Sequence, residues 1–68
     1  MRTEPLYPID VQLVGTDGNA FALIGKVGAA LVDGEVPDDA VTEFVNEAME
    51  QKSYDDLLNF LAETVNVS

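Results

Sequence analysis

The stretch Val11–Leu31, VQLVGTDGNAFALIGKVGAAL, decides the fold, because its hydrophobic period changes from two to about 3.6 across a cluster of turn-forming residues. On its N-terminal side Ile9, Val11 and Leu13 alternate with Asp10 and Gln12, the pattern of a strand with one covered face. Val14 adds an apolar residue to the other face, so a short strand is predicted over Ile9–Val14. Gly15-Thr16-Asp17-Gly18-Asn19 then ends it: the glycines can take positive φ, and the polar side chains can accept from nearby N–H groups. Asp17 or Asn19 is the expected N-cap of the helix that follows.

That helix is predicted from Ala20 to Val32. Projected at about 100° per residue, Ala20, Phe21, Leu23, Ile24, Val27, Gly28, Ala30 and Leu31 share a broad apolar arc. Ala22, Gly25, Lys26, Ala29 and Asp33 lie opposite, so even the far side is mostly small. A helix apolar over more than half its circumference belongs at the centre of a domain. Gly25 and Gly28 each cost about 1 kcal/mol relative to alanine in a helix, and tight packing is the expected compensation.

Working outward toward the C-terminus, Asp33-Gly34 is read as a helix stop with glycine in left-handed geometry, and Val36-Pro37-Asp38-Asp39 as the next start. The second helix, Pro37 to about Gln51, carries Val41, Phe44, Val45, Ala48 and Met49 on one face and Asp39, Glu43, Asn46, Glu47 and Glu50 on the other. Ser53 caps a third helix, with Asp56 in the place of the capping-box acid. Its apolar face is Tyr54, Leu57, Leu58, Leu61 and Val65, with Phe60 at the border. The terminal Val65-Asn66-Val67-Ser68 alternates β-branched residues and suits a short strand that pairs with the first.

Toward the N-terminus, Pro5 and Pro8 mark residues 1–8 as a leader, read as a loosely attached terminus in preference to a lid formed by Leu6 and Tyr7. The expected fold is therefore α+β. It is a single β-α-α-α-β domain over residues 9–68, with three helices and a two-stranded sheet made of the first and last strands. Strict alternation of direction would make those strands parallel, but an oblique helix removes the constraint and leaves their relative direction open.

Composition narrows the chemistry. In 68 residues there is no cysteine and no histidine, so disulfides, thiolate metal sites and imidazole catalysis are absent. Thirteen acidic residues stand against Arg2, Lys26 and Lys52, giving a formal charge of −10. Direct contact with nucleic-acid phosphates or an anionic membrane surface is electrostatically disfavoured. No apolar run reaches the roughly 20 residues of a membrane span, and the proline-containing start does not read as a signal peptide, so a cytoplasmic location is expected.

Motifs that would carry chemistry are incomplete. Gly25-Lys26 is preceded by Ala20 and followed by Val27, which breaks the phosphate-loop pattern, and the glycine spacing does not form a dinucleotide fingerprint. Asp17 and Asn19 are too few oxygen ligands for a calcium loop. The pairs Asp38/Asp39 and Asp55/Asp56 sit in helical first turns, where the dipole accounts for them. Ser53 and Ser68 have no base. No catalytic residue, cofactor or metal is expected, and the chain is read as a non-enzyme.

Two surfaces stand out. The strand-turn-helix over 15–20 places Thr16, Asp17, Gly18 and Asn19 where an anion or small ligand could bind. The stripe Asp39, Glu43, Glu47 and Glu50, with Phe60 at its edge, could contact a basic protein. Like charges at these spacings cost a helix a few tenths of a kcal/mol per pair, and no lysine interrupts them. Such a surface also admits a DNA-mimic role toward a nucleic-acid-binding protein. A homo-oligomer through Ala22, Gly25 and Ala29, or through the final strand, is compatible with the sequence without being supported by it.

The run VQLVGTDGNAFALIGKVGAAL, with VPDDAVTEF, SYDDLL and the terminal VNVS, resembles a family of short uncharacterised proteins of bacterial genomes and their phages or plasmids. The resemblance runs from Val11 onward and is strongest in TDGNAF. It implies no transferable activity and no site residue, only an accessory role linked to mobile DNA.

Overall fold

The computed structural model describes residues 5–13, 15 and 18–68. Within them the order is β1 (Asp10–Val11), α1 (Ala20–Asp33), α2 (Asp38–Met49), α3 (Tyr54–Thr64) and β2 (Asn66–Val67), the expected β-α-α-α-β. The strands pair in parallel, with Asp10 opposite Asn66 and Val11 opposite Val67. That settles the direction the pattern left open. β1 is shorter than the Ile9–Val14 expected, although the Leu13 amide still donates to the Ser68 carbonyl at 2.7 Å. Val14 and Asp17 lie outside the described residues.

α1 is the central element: it packs on α2, α3 and β1, whereas α2 packs on α1 and α3 with no contact to either strand among the described residues. The core gathers Leu23, Ile24, Val27 and Leu31 of α1 with Phe44 and Ala48 of α2, Leu57 and Leu61 of α3, and Val11, Val36 and Val65. Most of these are the residues the periodicity selects. The exceptions show how far each apolar arc extends beyond what its neighbours cover. Phe21 and Met49, expected inside, are 70% and 58% exposed, and Tyr54 and Leu58 also face outward.

Local signals set the helix starts. Asn19 is extended at φ −64°, and its Oδ1 accepts from the Phe21 amide at 2.8 Å, which makes it the N-cap of α1. Ser53 Oγ accepts from the Asp56 amide at 3.1 Å and caps α3 in the same way. Pro37, expected inside the first turn of α2, stands one position earlier as its N-cap, and α2 ends at Met49 instead of Gln51.

The stop after α1 differs from the expectation. Gly34 has φ −82°, and the left-handed residue is Glu35 at φ 65°. The Val36 amide donates to the Leu31 carbonyl and the Glu35 amide to the Val32 carbonyl, both at 3.0 Å, which is the Schellman arrangement with Glu35 in the position glycine usually holds. Gly34 sits in close quarters instead, where an added Cβ would require the Ile9 side chain to shift. A Cβ there would lie 2.6 Å from Ile9 Cδ1. Gly25 is also not explained by tight packing, since a Cβ there would meet nothing within 4 Å, while one on Gly28 would rest at an ordinary 3.9 Å from Val45.

Leu6 and Tyr7, expected in a loosely attached terminus over residues 1–8, are docked; residues 1–4 lie outside the described residues. The Leu6 and Tyr7 amides donate to the Glu63 and Thr64 carbonyls, each at 2.9 Å. These carbonyls belong to the last turn of α3, where no intrahelical partner exists. The leader thus completes the C-terminus of α3 before the chain enters β1, and Tyr7 packs against the core.

Candidate functional site

α2 shows how the sequence builds a surface. Its inward face, Phe44 and Ala48 with Val45 beside them, is packed against the core, and Asp39, Glu43 and Glu47 follow one another at intervals of four on one exposed face. Glu50 lies beyond the last helical residue as the C-cap, its amide donating to the Glu47 carbonyl at 3.1 Å.

Glu43 and Glu47 border a cleft of about 130 Å³ that α2 shares with α3 and with the docked leader. Phe60 and Thr64 line it from α3, Ala40 and Phe44 from α2, and Leu6 and Tyr7 from the leader. The rings of Phe44 and Phe60 stack with centroids 5.5 Å apart and planes 13° apart. Thr64 is buried, but its hydroxyl donates to the Phe60 carbonyl at 2.8 Å, so it brings no unsatisfied polar group to the floor.

Of the five residues expected to form a partner face, the fold therefore brings Glu43, Glu47 and Phe60 to one cleft. Asp39, in the first turn of α2, and Glu50, its C-cap, do not line it. Leu6, Tyr7, Ala40, Phe44 and Thr64 were not among those expected. An apolar Leu6-Tyr7 pair between two prolines was the available signal for the first two; nothing in the helical periodicity pointed to the last.

The turn over 15–20 is placed beside a second and larger groove. Gly15 takes φ 86°, the positive value its residue type permits. The Gly18 carbonyl accepts from the Tyr54 hydroxyl at 2.7 Å, and Asn19 caps α1. Thr16 and Asp17 lie outside the described residues. Just beyond the turn, Ala20, Phe21 and Ile24 face Met49, Tyr54 and Leu57 across a groove of about 350 Å³. The described polar groups of the turn thus bind the fold together, and the space next to them is mainly apolar.

Among the described residues, every buried side-chain nitrogen or oxygen has a hydrogen-bond partner, and no three acidic side chains gather as metal ligands would. No helix among the described residues is long and apolar enough to cross a membrane. Compared with protein-family models, with curated proteins and with solved structures, the chain matches none.

Proposed function

We propose that this protein is a non-enzymatic interaction module that binds a basic protein through the outer face of α2. The observation that carries the reading is the convergence of Glu43 and Glu47 with Phe60 at one cleft. Carboxylates on a surface with an apolar floor can select a partner, whereas carboxylates on a uniformly polar helix mainly keep a protein soluble. The charge of −10 favours encounter with a cationic surface and disfavours nucleic acid itself. An accessory role linked to mobile DNA, including occupation of a nucleic-acid-binding protein, is consistent with such a partner.

Titration with hexalysine, followed by amide chemical shifts at low salt, tests the locus. Shifts concentrated over residues 39–50 and at Phe60, and lost on adding salt, are expected. Shifts spread evenly to Asp10, Asp33 and Asp55, or none at all, would overturn it.

A second reading is favoured by the groove beside the 15–20 turn, whose volume lies within the range of about 300–1,000 Å³ typical of small-ligand sites. In that reading an apolar ligand with a polar end sits against Phe21, Met49 and Tyr54. A panel of nucleotides, phosphates and aromatic acids that leaves the Gly18, Phe21, Met49 and Tyr54 resonances unmoved would remove it.

A further inference from the structure

We propose that the cleft between α2, α3 and the docked leader is a socket for one arginine side chain of the basic partner, an inference that rests on α2 being the partner face. Its size, lining and rim agree on this occupant. At about 130 Å³ the cleft is well below the range of about 300–1,000 Å³ of small-molecule sites, so it takes a side chain and not a cofactor or drug-sized ligand. Leu6, Phe44 and Phe60 give it an apolar and aromatic lining. Glu43 and Glu47, one helical turn apart, set two carboxylates at its rim.

An occupant must therefore be apolar along its length, cationic at its end, and able to contact an aromatic ring. Lysine and arginine both meet the first two conditions. The aromatic lining separates them, because the guanidinium is planar, weakly hydrated and able to stack on a ring while its N–H groups still point at carboxylates. An ammonium is a compact, strongly hydrated charge that gains most of what the site offers by staying at the rim. The stacked Phe44–Phe60 pair contributes nothing to that rim contact. Cation binding also relieves the repulsion between Glu43 and Glu47, which the free helix carries at spacing i, i+4.

Hexaarginine and hexalysine carry equal charge and form the matched probes. At equal low salt, hexaarginine is expected to bind roughly three- to tenfold more tightly. It should also move the Phe60 ring resonances and shift its own side-chain methylene protons upfield. Phe60→Leu should erase the preference by weakening hexaarginine more than it weakens hexalysine. Glu43→Gln with Glu47→Gln, both exposed and harmless to the core, should weaken both peptides.

Equal affinities, a preference that survives Phe60→Leu, or unshifted arginine methylenes in the unaltered protein would overturn the socket. The last measurement stands even where Phe60→Leu fails to fold. Equal binding localised at α2 would reject the socket and leave the interaction face standing; failure of both peptides to perturb α2 would reject both.

Discussion

Glu35 is the residue at which this chain departs most plainly from local preference. A side chain in the left-handed region costs roughly 1–2 kcal/mol, and Glu35 bears it because the two Schellman hydrogen bonds and the buried pair Leu31 and Val36 fix the turn. Glycine would remove the strain but would also enlarge the unfolded ensemble, a loss of about 0.4–1 kcal/mol. Glu35→Gly is therefore expected to stabilise by about 0.5–1 kcal/mol, seen in urea melts as a higher midpoint with an unchanged slope. Gly25 is the complementary case. It is exposed inside α1 with open space where a Cβ would stand, so Gly25→Ala should stabilise by about 1 kcal/mol, or roughly 4–8 °C in melting temperature. A sequence alone assigns both glycines plausibly but not correctly: Asp33-Gly34 reads as the left-handed stop, and only the position of Ile9 shows that Gly34 instead sits in close quarters.

At the scale of elements, what depended on neighbours in sequence was legible and what depended on distant ones was not. Ser53 and Asn19 cap their helices as their types and positions announced, because a cap is satisfied within three residues. The two-stranded sheet was legible from alternation at either end of the chain. Docking of the leader was not, since Leu6 meets Glu63 across almost the whole chain and the need for it, two unpaired carbonyls ending α3, arises only in the folded state. The same reason divides the candidate cleft: Glu43 and Glu47 could be read from spacing on α2, while Leu6 and Tyr7 were legible only as an apolar pair between prolines, with nothing local to say where it docks. Hydrogen exchange checks the docking directly. The Leu6 and Tyr7 amides should exchange as slowly as that of Asn66, which bonds the Ile9 carbonyl; exchange at the rate of an unstructured peptide would mean that the α3 terminus is not closed in solution.

Across the whole molecule the dominant quantity is charge, and its effect depends on size. The principal extents are 26 × 26 × 23 Å, smaller than the screening length of about 30 Å at 0.01 M salt, so in dilute buffer each carboxylate acts on all the others. At 0.15 M the length falls to about 8 Å, and only neighbours on one face still repel. Folding draws the acidic residues together from an extended chain, so screening favours the folded state. On α2 and its C-cap, the successive pairs from Asp39 through Glu43 and Glu47 to Glu50 each cost a few tenths of a kcal/mol, about 1 kcal/mol together. For a domain of this length that amounts to roughly 4–8 °C. Melting temperature should accordingly rise between 0.01 M and 0.15 M sodium chloride, through screening of carboxylates on different faces and of part of this α2 repulsion. Glu47→Gln, which removes two of the repelling pairs, should raise it in dilute buffer and shrink the salt response. A melting temperature that is flat or falls with salt would mean that the acidic face is compensated within the fold, and a face already compensated would have little left to offer a basic partner.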